Sequence, residues 1–228
     1  MMSQPITITH EIFQVGGYGL TAPEDAAIYL LDFDGHAALV DAGTGRAQKR
    51  LLDHLATTGV RPEQIEYLLL THCHYDHTGG ARGLREKLGC PVVAHELDAD
   101  FLERGDNEVT AASWYGTKLY PCPVDRRLSG ARQTLTLGER SITALHIPGH
   151  SPGSLAYLTE SEGQTVLFAQ DVHGPLDLRL RSNRTDYRAS LERMLALEAD
   201  ILCEGHYGIF RGKPVVAEFI RSFLDEAY

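Results

Sequence analysis

No stretch of this 228-residue chain is apolar for long enough to span a bilayer, and the opening residues Met1-Met2-Ser3-Gln4-Pro5 show no basic region leading into an apolar one. Neither a membrane span nor a secretory leader is expected, and no membrane partner. Cysteine is scarce: Cys73, Cys90, Cys122 and Cys203 are scattered without a Cys-x-x-Cys pair. That pattern suits reduced thiols in a cytoplasmic protein better than a disulfide framework. Basic residues are outnumbered, 21 Lys and Arg against 31 Asp and Glu, for a net charge of -10 and a pI near 5.5. A broad phosphate-binding surface is disfavoured, so nucleic acid is not an expected partner. A chain this long buries roughly 70 % of its unfolded surface without disulfide help, and residues 1–228 read as one domain.

What the chain does have is Thr71-His72-Cys73-His74-Tyr75-Asp76-His77-Thr78-Gly79-Gly80, directly after the apolar run Ile65-Glu66-Tyr67-Leu68-Leu69-Leu70. Three imidazoles and a carboxylate fall within six positions at a strand-to-loop transition. If the chain stays extended through His72 and His74, side chains two apart share a face and reach one ion. Asp76 and His77, where the chain turns, are then free to reach a second ion. A polar loop with coincidental histidines is the bland alternative, but such a density of ligand types seldom arises for packing alone. Small residues at Gly79 and Gly80 let a helix through Leu88 start close by.

The rest of the chain repeats this arrangement. Strand patterns cover Ile6 to Asp41, with a hairpin signal at Asp34-Gly35, and a helix is expected from Arg46 to Thr58. Asp41 reads either as a carboxylate orienting a ligand histidine or as a turn or helix-start aspartate. Pro91–His95 reads as a strand and Glu96–Glu103 as a helix. Arg104 to Arg132 is irregular, and Trp114, Tyr115 and Tyr120 within it suit a lid or pocket wall as well as plain core packing. β pattern resumes at Gln133–Leu137 and Ser141–Ile147, then breaks at Pro148-Gly149-His150-Ser151-Pro152-Gly153. A second hairpin ends in Gln170-Asp171-Val172-His173. After a helix expected over Asp186–Ala199, a short strand ends in Cys203-Glu204-Gly205-His206, and Pro214–Ala227 reads as a closing amphipathic helix. Strands that end near Thr71, Ile147, Ala169 and Cys203 each deliver a histidine or carboxylate, which implies one cleft at a common sheet edge.

The order His72-x-His74-x-Asp76-His77, then His150, Asp171 and His206, resembles the metallo-β-lactamase superfamily, as do the Asp41-Ala42-Gly43 turn and the Gly149-His150-Ser151-Pro152-Gly153 loop. The resemblance implies an α/β fold, an αββα four-layer sandwich of two mixed β-sheets flanked by helices, with metals at one edge. It implies that His72, His74 and His150 hold one metal, Asp76, His77 and His206 the second, and that Asp171 bridges them. This nitrogen and carboxylate set suits two divalent ions, Zn first, with Fe or Mn tolerated. The implied activity is hydrolysis of a small ester, thioester or lactone by a metal-bridging hydroxide that Asp76 helps to orient. An aspartate bridge is foreign to true metallo-β-lactamases, so antibiotic hydrolysis is disfavoured. Hydroxyacylglutathione hydrolases carry a helical domain after the last ligand, where this sequence has only Tyr207 to Tyr228.

Other residues carry weaker expectations. Arg179, Arg181 and Arg184 lie on a loop where an anionic substrate group could be held, though a solvated basic loop explains them too; Tyr207 follows the last ligand as a further substrate contact. Cys73, between two ligands, should point away from them. His10, His36, His54, His95 and His146 read as structural or surface residues, and His173 as one that supports a ligand or carries a proton. Two competing readings stand beside the hydrolase. One is a mononuclear iron persulfide dioxygenase using His72, His150 and Asp171, and the other is an inactive binding module on the same fold. A homodimer is left open.

Overall fold

Strand Ile28–Phe33 is apolar at successive positions, which requires cover on both faces. The computed structural model describes residues 4–226, and in it Ile28 and Leu30 point into one core while Tyr29 and Leu31 point into another. The same two-residue alternation recurs along Ala37-Ala38-Leu39-Val40 and Leu68-Leu69-Leu70. Each such side chain, fully buried, contributes about 1.5–3 kcal/mol.

Seven strands form the first sheet: β1 (Ile6–Thr9), β2 (Ile12–Gly16), β3 (Ile28–Phe33), β4 (His36–Val40), β5 (Ile65–Leu69), β6 (Val92–His95) and β7 (Arg126–Leu128), in that order. Pairing is antiparallel from β1 to β4 and parallel from β4 to β7. The β3–β4 turn is the expected one, with Asp34 (φ 54°) and Gly35 (φ 87°) both left-handed and Phe33 opposite His36. The second sheet has the order β13-β12-β11-β10-β9-β8, built from β8 (Arg132–Leu137), β9 (Arg140–His146), β10 (Leu155–Ser161), β11 (Gln164–Phe168), β12 (Ile201–Cys203) and β13 (Ile209–Arg211). Only β11 and β12 run parallel in it.

Helices α1 (Gln48–Thr58), α2 (Tyr75–Thr78), α3 (Ala81–Leu88) and α4 (Glu96–Arg104) cover the outer face of the first sheet, through Leu51, Leu55, Tyr75, Leu84 and Leu102. Helices α5 (Arg184–Leu195) and α6 (Lys213–Glu226) cover the second, through Leu191, Met194, Val216 and Ile220. Between the sheets lie Tyr29, Leu31, Val40, Leu69, Tyr157 and Phe168. The result is the expected four-layer αββα sandwich of two mixed sheets.

Several elements differ from the sequence reading. Strand β7 sits inside the segment expected to be irregular, and β13 was not expected. Helix α5 stops at Leu195 rather than continuing to Ala199, because Glu198 turns left-handed (φ 48°) to lead the chain into β12. The closing helix ends at Glu226; residues 1–3 and 227–228, which include the end of that expectation and most of the opening segment, lie outside the described residues. No described helix is long and apolar enough to cross a membrane. All four cysteines are buried and free.

Candidate metal centre

Strands β5, β9, β11 and β12 all end at one edge of the sandwich, and the loops that leave them converge there. After Leu69 the chain is no longer extended: Thr71 to Cys73 bend, and α2 begins at Tyr75. The strand spacing expected for His72 and His74 therefore does not align them; the bend does, with rings 4.5 Å apart and nearly perpendicular. The bend is fixed by Asp41, just past β4, whose Oδ1 accepts Thr71 N–H (2.8 Å) and whose Oδ2 accepts Thr71 Oγ1 (2.7 Å). The same Oδ2 accepts Nδ1 of His77 (2.8 Å), so Asp41 orients that histidine; Ala47, not Asp41, precedes α1. A glycine is required at position 80, since a Cβ there would lie 2.4 Å from the carbonyl of Ala42.

The seven residues singled out in the sequence meet in two adjoining groups. Ligand-type atoms of His72, His74, His150 and Asp171 lie within 4.8 Å of one another, as do those of Asp76, His77 and His206. Asp171 faces both: Oδ2 is 3.2 Å from Nε2 of His150 and 3.7 Å from that of His72, while Oδ1 is 3.2 Å from Nε2 of His77 and 3.4 Å from that of His206. Nε2 of His72, His74, His77 and His150 are all buried without a hydrogen-bond partner. Leaving one such group unsatisfied costs about 1–3 kcal/mol, so four aimed at one place mark a site built to receive a ligand. On the far side of the rings, His150 Nδ1 meets Pro175 O (2.9 Å) and His72 Nδ1 meets Thr71 Oγ1 (3.1 Å). Rings anchored through one nitrogen and bare at the other fit a divalent cation. Cys73 takes no part; it lies in the core beneath the first sheet, and burial pushes its thiol up, away from thiolate character.

The profile of the metallo-beta-lactamase superfamily matches residues 22–206. The chain belongs to that superfamily. As a member it is 30% identical over 164 residues to a probable metallo-hydrolase of Methanocaldococcus jannaschii, MJ0888, covering 71% of this chain and 74% of that protein. It is 31% identical over 213 residues to the acyl-coenzyme A thioesterase MBLAC2 of Gallus gallus, covering 81% and 73%. In fold it is similar to the metallo-beta-lactamase GOB-18 from Elizabethkingia meningoseptica, with a TM-score of 0.80 at 24% identity, over 100% of this chain and 90% of that one. This superfamily member is a metal-dependent hydrolase.

Electrostatics divide its cluster in two. Burial, followed by the neighbouring His150, pushes His74 down to about 3, and burial with His77 and His74 holds His72 well below the ordinary imidazole range. Both rings therefore present lone pairs at neutral pH. At His77 burial works the same way, but Asp171, Asp76 and Asp41 outweigh it and hold the ring well above its usual value. Burial also opposes the charge on His206, which the hydrogen bond to Asp171 nevertheless raises to about 10. A cation entering this second group competes with the protons that the carboxylates favour on His77 and His206.

The cleft over these residues has a volume of about 200 Å³ and is walled by Ala111, Trp114, Tyr115, Pro175 and Leu180. The Tyr115 hydroxyl faces the Asp76 carboxylate. Arg179 and Arg181 are not among the lining residues: Arg179 is bound to Asp177 (2.7 Å) and lies over the Trp114 ring, and Arg181 lies over Phe101. Tyr207 is exposed and packs on His173. Among the other histidines, His10 pairs with Glu162, His36 with Glu66, His54 with the Val15 carbonyl, and His95 stacks on His146.

Two buried carboxylates escaped the sequence reading. Asp98 of α4 accepts Cys73 N–H (2.9 Å), Ser151 Oγ (2.6 Å) and Gly153 N–H (2.7 Å), and so ties the loop of His72 and His74 to that of His150. Glu204, with no solvent exposure, accepts from His173 and from the backbone N–H of His206 and Tyr207. Only the position of Glu204 between a strand end and His206 was there to be noticed.

Proposed function

We propose that this metallo-hydrolase holds two divalent cations, Zn foremost, and cleaves a small ester, thioester or lactone. The observation that carries the reading is Asp171, which turns one oxygen to each group of donors. In this reading His72, His74 and His150 hold one cation, Asp76, His77 and His206 the other, and Asp171 both. Two imidazole-rich sites without thiolate suit Zn, and accept Fe or Mn. Such a pair, when bound, supplies Lewis acidity toward a carbonyl and acidifies a shared water toward neutral pH.

The chain's own residues do the rest. Asp76, whose Oδ2 is 3.2 Å from Nε2 of His206, would orient the attacking oxygen, and Tyr115 holds the outer side of that carboxylate. Trp114, Tyr115, Pro175 and Leu180 offer an uncharged acyl group an apolar wall, and neither Lys nor Arg lines the cleft. A cavity of about 200 Å³ suits a small acyl group, and the likeness to an acyl-coenzyme A thioesterase favours a thioester within the ester class. The chain acts as one catalytic domain, with residues 104–132 covering the cleft through Ala111, Trp114 and Tyr115. Its buried, unpaired cysteines support a reducing, cytoplasmic setting.

Elemental metal content per chain, on protein purified without added metal or chelator, tests the reading together with a panel of short-chain thioesters, esters and lactones. About two equivalents and turnover of one of these classes are expected. About one equivalent of iron, with oxygen uptake on a persulfide, would replace it by the dioxygenase.

A further inference from the structure

The cleft holds an eighth donor. His173 lines it, with its ring 5.2 Å from that of His206 and nearly perpendicular to it. Ligand-type atoms of Asp171, His173 and His206 lie within 4.8 Å of one another, the same spread that defines the two groups already described. Nδ1 of His173 is 2.7 Å from Oε1 of Glu204. A carboxylate can only accept, so it holds the Nδ1–H tautomer and leaves the lone pair on Nε2. A buried carboxylate behind an imidazole is the usual support of a metal-binding histidine, because it fixes both the tautomer and the angle of the ring.

Building on the two-cation reading, we infer that His173, backed by Glu204, forms a second station for the second cation, Asp171–His173–His206 in place of Asp76–His77–His206. Both stations use His206 and the shared Asp171, so a cation that moves between them gives up Asp76 and His77 and gains His173. His206 belongs to both, and one imidazole lone pair serves one cation at a time, so the stations are alternatives. It is also the donor with most room to turn: its side chain is 32 % exposed, against 0 % for His77 and 5 % for Asp171. Glu204 serves the exchange twice, since its other oxygen holds the backbone N–H of His206 (2.7 Å) and of Tyr207 (2.9 Å) and keeps that loop fixed while the ring turns. If Glu204 and His173 merely clamped the loop after β12, removing His173 from Asp76→Ala would alter stability and leave the metal stoichiometry of that variant alone.

The test is Zn content per chain after dialysis against Zn(II), for the wild type, Asp76→Ala, His173→Ala and the double variant. Asp76 belongs to the first station only, and His173 to the second only. Each single variant should keep about two Zn, the second held roughly 10–100-fold more weakly in Asp76→Ala, and the double variant should fall to about one. Asp76→Ala paired with His173→Gln should behave like the double variant, since glutamine can still hydrogen-bond Glu204 but offers no imidazole; this guards against a loop that fails to fold. Asp76→Ala falling to one Zn by itself, or either double variant retaining two, would overturn the second station while leaving the two-cation reading intact. A wild type with one Zn would remove both.

Discussion

Replacing Asp41 by Asn isolates what its carboxylate does for His77. The backbone tolerates the change, because Asp41 is left-handed (φ 63°) and asparagine is among the few residues that accept this conformation. The side chain keeps one oxygen, enough for Thr71 N–H. Its NH2 then replaces the oxygen that accepts from Thr71 Oγ1 and His77 Nδ1. The hydroxyl can rotate to accept. The imidazole can accept only by moving its proton to Nε2, the atom 3.2 Å from Asp171 Oδ1 and 3.7 Å from Asp76 Oδ2. The ring would then donate to carboxylates at the point where it should offer a lone pair to a cation. Loss of such an orienting partner costs about 10–100-fold in metal affinity, or roughly 1.4–2.7 kcal/mol. Exchange of charged for neutral hydrogen bonds costs a further ~1–2 kcal/mol of fold stability. Competition with a chromogenic chelator would read the first quantity, and thermal unfolding of the metal-free protein the second. An Asn variant that holds both cations with wild-type affinity would refute the tautomer argument.

Three further outcomes are expected. His74→Ala and Asp76→Ala should each abolish turnover while circular dichroism stays native; retained activity in either would break the two-cation hydrolase. Asp98→Ala strands the donors of Cys73, Ser151 and Gly153 and should lower unfolding free energy by ~3 kcal/mol or more, measured by urea titration; a loss under ~1 kcal/mol would show that the two loops are held by something else. Burial, reinforced by the charge of His146, holds His95 down to about 4, whereas the unfolded ring titrates near 6.5. The folded state thus binds fewer protons in that interval, and this contribution is full above pH ~6.5 and lost as pH falls toward ~4. It amounts to at most on the order of 3 kcal/mol, and His95→Gln should flatten the stability profile there; an unchanged acid limb would place the acid sensitivity elsewhere.

The fold was legible where side-chain periodicity was strong. The strictly alternating cores of β3 and β4 and the Asp34-Gly35 turn could be read directly, and so could the donors, because imidazole and carboxylate recur just past strand ends. Strands β7 and β13 could not. Each has three residues, and β7 offers a single buried side chain, Leu128, so it is defined by backbone pairing to β6, which leaves no pattern in the sequence. The alignment of His72 with His74 was expected from strand geometry and is achieved by a bend, whose cause, Asp41, lies 30 residues earlier. Asp98 was hidden for a similar reason: its partners lie 25, 53 and 55 residues away, and the residue itself sits in an ordinary amphipathic helix.

The donors also come from both sheets. His72, His74, Asp76 and His77 leave the first, while His150, Asp171 and His206 leave the second, the last of them beyond β12. During synthesis the strands of the first sheet emerge carrying four of these ligand-type side chains, before any of His150, Asp171 and His206. Asp171, which faces both groups, follows only with β11, and His206 later still, after β12. In the two-cation reading, a half-built sandwich therefore offers neither group its full set of donors, and tight capture of metal waits until the two sheets have closed on each other. On that reading the seam between the sheets acts as an assembly checkpoint: metal is held tightly only by a chain whose two halves have met in register.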